Sequence, residues 1–169
     1  MDTATLPTQS LSSDQPPPLV VVEMPTRAHL PRSYFGIRES AFVFLAFVDL
    51  SSYRERKNPD AAVSLFRSLR KTQPYADIQL VIKAKTADGD ASEWLADLAD
   101  ETGDTRCLTT PMTGFATQSL IANSDCFVSL HRAEGFGRVA AEAFWLNRPV
   151  IATGWSGSQD YMRDNPGAV

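Results

Sequence analysis

The chain has little of what most specialised protein classes require. Its 169 residues include only two cysteines and two histidines. Two isolated thiols, Cys107 and Cys126, cannot form the disulfide framework of a small secreted fold, and they point to a reducing compartment. There is no basic excess: 16 Lys and Arg stand against 20 Asp and Glu, a net charge of −4. That balance argues against nucleic acid or an anionic membrane as a partner. No long hydrophobic run is present. The longest, Ala41 to Val48, falls far short of the ~20 residues that cross a bilayer, so no transmembrane segment is expected. The first residues show neither the basic nor the apolar region of a secretory signal. No internal repeat occurs, and no carboxylate-rich cluster suggests a metal site. A soluble, cytoplasmic protein is the expectation.

What is present divides the chain. Residues 1–17, rich in Ser, Thr, Pro and Gln, read as a disordered tail. Residues 18–39 read as a linker with one short strand at Leu19 to Val22. Residues 40–169 have the size and pattern of one α/β domain. Ala41 to Val48 is apolar on both faces, as a central parallel strand should be. Further strands are predicted at Ile78 to Ile82, 105–109, Cys126 to Leu130 and Pro149 to Thr153. Helices are predicted between them: one capped by Asn58 with Pro59 at its first position, one opened by an Asp90/Glu93 capping box, one over Thr113 to Asn123, and a short one at Ser158 to Met162. In the first of these, Ala62, Phe66 and Leu69 form the buried stripe, while Arg67, Arg70 and Lys71 face water. Strands alternating with helices of this length imply a doubly wound parallel sheet, with ligands bound beyond the carboxyl ends of the strands.

The most informative stretch is Ser129 to Ala143, SLHRAEGFGRVAAEA. A buried-type strand leads into Gly135-Phe136-Gly137, and a helix follows with Val139, Ala143 and Leu146 on one face. Strand, glycine turn and helix together present backbone N–H groups to an anion. Glu134 precedes the turn, and Glu142 lies eight residues later. Its plainest structural reading is an ion pair with Arg138, one helical turn back. Two more polar loops follow predicted strands. One is 49–57, with Arg56 and Lys57 as candidate phosphate ligands or a solvated basic turn. The other is 154–158, where Trp155 is either core packing or a ligand contact. A nicotinamide-binding Rossmann domain would place G-x-G-x-x-G after the first strand. The segment there, AFVDLSS, contains no glycine.

This pattern resembles the Glu-x7-Glu signature of group-1 (family 4 type) retaining glycosyltransferases of the GT-B fold. Only Ala133 departs from their SLHRSEGFG tract. Phe47, Asp49, Ser52, Arg56, Lys57, Asn58 and Pro59 match a second family segment, although Ser52 stands where many relatives carry Arg. ATGWSG (152–157) matches a third, although Ser158 stands where relatives continue with Asn. The resemblance implies a Rossmann-like α/β domain forming the C-terminal, donor-binding half of a GT-B enzyme. It implies that the chain is a fragment, inactive alone, whose partner is an acceptor domain or a separate subunit. Its ligands would be a nucleotide-diphosphate sugar, as substrate and not as cofactor, and a glycan acceptor. Glu134 would act at the anomeric carbon. Arg56, Lys57, Gly135, Phe136, Gly137 and Glu142 would hold the donor, with Glu142 on the ribose hydroxyls. No metal or cofactor is implied. The alternatives are a noncatalytic nucleotide-sugar-binding module and, less favoured, a nicotinamide oxidoreductase.

Overall fold

The computed structural model describes residues 29–50, 54–85 and 103–163. The expected tail, the strand at 19–22 and the Asp90 helix lie outside them. The described residues form a five-stranded sheet of β1 (Phe42–Asp49), β2 (Ile78–Lys85), β3 (Thr105–Leu108), β4 (Cys126–Ser129) and β5 (Val150–Ala152). All strand pairs are parallel, in the order β3-β2-β1-β4-β5. The chain winds outward from β1 to β3, then crosses back to β4 on the other side of β1. The doubly wound, Rossmann-like fold is thus present, and its switch point lies between β1 and β4.

β1 is apolar because both of its faces are covered. Val43 and Leu45 are fully buried in a core shared with α3 (Gly114–Ala122) and α4 (Arg138–Trp145). Ala46 and Val48 face the other way, in cores that include Ala62, Val63 and Phe66 of α2 (Pro59–Thr72). Packing also reaches back before Ser40. Phe35, in a 3-10 turn at Arg32–Phe35, and Ile37 are both buried in the α3/α4 core.

Several local expectations change. Part of the first polar loop is helical, at α1 (Arg54–Lys57). Asn58 does not cap α2 through its side chain. It adopts a left-handed backbone, φ 48°, and its Nδ2 donates to the Leu130 carbonyl at 2.9 Å. Thr113 does cap α3, accepting from the Ala116 N–H at 3.2 Å. Arg70 does not simply face water, because it donates to the Ala76 and Ile78 carbonyls and pairs with Asp104 at 2.8 Å. β2 runs three residues beyond Ile82, and the last short helix, α5, spans Gln159–Met162 after a 3-10 turn at Ser156–Ser158.

The amino ends of the strands are tied by two arginines. Arg32 donates to the Glu39 and Ala41 carbonyls and to Asp125, which itself accepts from the Val43 N–H at 2.8 Å. Arg38 bridges Asp77, Asp104 and the Ile78 carbonyl at 2.8–2.9 Å. The carboxyl ends carry the loops that build the site.

Candidate functional site

Above the switch point lies a cavity of about 590 Å³. Its lining includes Phe47, Val48 and Asp49 of β1, Arg56 and Lys57 of α1, and Lys83 and Lys85 of β2. Phe127 and Ser129 of β4, then Glu134, Phe136 and Gly137, and finally Arg138, Val139 and Ala140 of α4 complete it. Five of the seven residues singled out from sequence therefore line one cavity: Arg56, Lys57, Glu134, Phe136 and Gly137. Gly135 and Glu142 do not.

The first two loops are joined directly. Lys57 Nζ donates to Glu134 Oε2 in a half-buried ion pair. Arg132 N–H donates to the Arg56 carbonyl at 2.9 Å, and Arg56 Nη1 reaches the Ala133 carbonyl at 3.4 Å. Burial pushes the Glu134 carboxyl up. The Lys57 hydrogen bond and charge, with Arg56 and the Gly135 N–H, outweigh burial and hold it below the ordinary carboxylate value. Glu134 is therefore an ionised acceptor at neutral pH, in contact with a cation.

The glycine turn is set by backbone geometry. Gly137 has φ +76°, which residues with a Cβ adopt at a cost, and it leads directly into α4. Tyr161 Oη donates to the Gly137 carbonyl at 3.0 Å, and its ring packs on Phe136 and Phe144. Burial, with the nearby Glu134 charge, pushes the Tyr161 hydroxyl up to about 12. Sequence reasoning missed Tyr161, which lies 24 residues past Gly137 and carries no spacing signal.

The third loop meets the second but contributes no residue to the cavity wall. A Cβ on Gly157 would overlap the Gly135 carbonyl, so the two loops touch backbone to backbone. His131 is 2% exposed and structural. Its Nδ1 lies 3.1 Å from the Ser129 hydroxyl, and its Nε2 lies 3.3 Å from the Trp155 carbonyl. Trp155 is 64% exposed, which excludes the core reading. The third wall comes instead from Lys83 and Lys85. The signal for them was available, since residues at i and i+2 share a face at the carboxyl end of a strand that neighbours β1.

Glu142 sits one turn down α4 from Arg138, 3.8 Å from its Nε, in the plain i,i+4 pairing. Burial pushes its carboxyl up, with Arg138 opposing. Among the described residues, no three His, Cys, Asp or Glu side chains gather in a way that would hold a metal. No described helix is long and apolar enough to cross a membrane.

The cavity thus offers cations and a helix N-terminus to an anion and an ionised carboxylate to hydroxyl groups, over an apolar floor. No curated protein sequence matches the chain. A structure from E. coli described as trehalose-6-phosphate bound with UDP-2-fluoro glucose superposes with a TM-score of 0.64 at 14% identity, over 78% of this chain and 33% of that one. The α,α-trehalose 6-phosphate synthase of Burkholderia multivorans gives 0.65 at 14% identity, over 82% and 33%. The N-terminal domain of a Candida albicans trehalose-6-phosphate phosphatase gives 0.65 at 10%, over 82% and 32%. The chain therefore spans about a third of the length of these structures, and the likeness shows the fold. The model of the family "Glycosyl transferases group 1" matches residues 44–169, all of the sheet but the first two residues of β1 and all three loops, and the chain belongs to that family.

Proposed function

We propose that this chain is the donor-binding domain of a retaining, metal-independent glycosyltransferase. It would hold a nucleotide-diphosphate sugar and offer the anomeric carbon to a hydroxyl of a glycan or other acceptor. The observation that carries this reading is the Lys57–Glu134 pair in the switch-point cavity, beside the N-terminus of α4. One pair supplies both chemistries that glycosyl transfer needs. When the donor binds, its diphosphate takes over Lys57, with Arg56 and the glycine-turn N–H groups as further donors. Glu134 is then released to accept from sugar hydroxyls and to stabilise positive charge at the anomeric carbon.

The bond from that carbon to the diphosphate oxygen breaks, with its electron pair going to the diphosphate. The acceptor oxygen bonds to the same face of the carbon, and its proton passes to the leaving diphosphate. Lys57 and the helix N-terminus stabilise the charge left behind. Glu142, one turn into α4 and just outside the cavity lining, would accept from the ribose hydroxyls in place of its contact with Arg138. Support for a nucleotide-sugar donor and a retaining reaction comes from the similar E. coli structure bound with UDP-2-fluoro glucose and from a similar trehalose-6-phosphate synthase studied for glycosyltransfer with retention. The nucleotide sugar is a substrate, no resident cofactor is needed, and an acceptor domain or subunit completes the enzyme. A cytoplasmic setting fits the two unpaired thiols.

The test is a thermal-shift panel of UDP, GDP and their sugars. A specific ligand at a hundred times its Kd should add about 2.7 kcal/mol of apparent stability. No shift with any nucleoside diphosphate or nucleotide sugar overturns the reading.

A further inference from the structure

Lys83 is a cavity cation that the reading above leaves without a task. It lies on β2 beside Phe47 of β1, whose ring packs edge-on against Phe127. It lines the same cavity as Arg56 and Lys57. The other charged groups facing that space have partners within the protein. Lys57 meets Glu134, Lys85 lies 3.7 Å from Asp49, and Arg138 lies 3.8 Å from Glu142. Arg56 leans on the Ala133 carbonyl. Lys83 Nζ donates to the Ala84 carbonyl at 2.9 Å, and no carboxylate pairs with it among the described residues. Half-buried and matched only by a neutral carbonyl, its ammonium is less stable than in water, and burial lowers its pKa. A charge kept in such a place is satisfied best by an anionic ligand group.

We propose that Lys83 is a second cationic ligand for the diphosphate of the bound nucleotide, reaching it from β2 while Lys57 reaches it from the β1 side. The inference rests on the donor-binding reading. β2 neighbours β1 at about 4.8 Å, and Lys83 and Lys57 line the same cavity beyond the ends of these strands. A diphosphate carries more than one negative charge, and Lys57 is already shared with Glu134. Lys83 supplies positive charge that no carboxylate among the described residues has to give up.

The experiment is calorimetric titration of the whole chain with UDP, GDP, uridine and guanosine, before and after Lys83→Met. The Met side chain keeps the apolar stem and removes the charge. Whichever diphosphate the unmodified chain binds should bind about tenfold or more weakly to the variant, while nucleoside affinity changes by less than about twofold. Lys83→Arg should recover most of the loss. The melting temperature of Lys83→Met should equal or exceed that of the unmodified chain, since an unpaired half-buried charge is gone. If that variant does not fold, Lys83→Gln carries the same comparison. Unchanged diphosphate affinity overturns the role of Lys83 and leaves the donor site standing. Equal losses for nucleoside and diphosphate also overturn it, because they locate the contact at the base or ribose. An unmodified chain that binds no diphosphate overturns the donor-site reading itself, and Lys83 with it.

Discussion

At the scale of single residues, Lys57 and Glu134 hold each other in the cavity, and each makes the other's charge tolerable there. Lys57→Ala should weaken nucleoside diphosphate binding by about 1–3 kcal/mol while leaving the free nucleoside nearly unaffected, measured by calorimetry. Equal losses for both ligands would mean that Lys57 acts through structure. The same variant should change the pH response. The Glu134 carboxyl lies below its ordinary value, so its contribution to stability is present above the unfolded-state pKa and is lost as pH falls through the lowered one. Removing Lys57 should move that loss to higher pH in acid-unfolding curves. Glu142 behaves oppositely. Its carboxyl is raised by burial, so its favourable contribution is present below the unfolded-state pKa and disappears as pH rises through the raised value. Glu142→Gln should therefore unfold at the same or a slightly higher urea concentration at pH 7. It should nevertheless bind the ribonucleotide more weakly by about 1–3 kcal/mol, since a charged acceptor to two hydroxyls is lost. Unchanged affinity in that variant would rule out the ribose role.

At the scale of elements, the entry into α4 depends on one backbone conformation. Gly137→Ala puts a Cβ at φ +76° and 2.6 Å from Tyr161 Oη. The strained conformation alone costs about 1–2 kcal/mol, and the crowding adds to it. Urea unfolding should show a loss of at least that size, and a loss under about 0.5 kcal/mol would mean that the turn adapts. The elements also show what was legible in advance. β1, β4 and α4 could be read because burial on both faces, or on one helical stripe, writes itself into the order of apolar residues. Glu134, Gly137 and Lys57 could be read because a family signature coincides with strand ends. Asn58 was misjudged because a long-range bond to Leu130 overrides its local capping preference. Lys83 and Lys85 escape a reading that ends β2 at its last apolar residue. A strand at a sheet's carboxyl edge can continue through lysines whose stems line a cavity while their heads reach polar partners. Tyr161 illustrates the remaining limit, since its contact with Gly137 is created only by folding.

At the scale of the whole molecule, the described residues build one sheet with a cavity at the carboxyl ends of its strands, and the chain spans about a third of the structures it resembles. Holding an acceptor hydroxyl against the anomeric carbon can supply ~7–11 kcal/mol of barrier lowering. Incubated with a nucleotide sugar and candidate acceptors, this chain should bind the donor and release no acceptor-dependent nucleoside diphosphate. Robust transfer would show that a single sheet is sufficient. The two arginines at the amino ends of the strands carry a consequence of another kind. Arg32 and Arg38 fasten backbone carbonyls and aspartates on the side of the sheet opposite the cavity. Cohesion is therefore supplied at the end of the sheet away from the cavity, and the loops that line the cavity are relieved of keeping the strands in register. Such a division lets the carboxyl-end loops be exchanged for others without rebuilding the sheet that displays them.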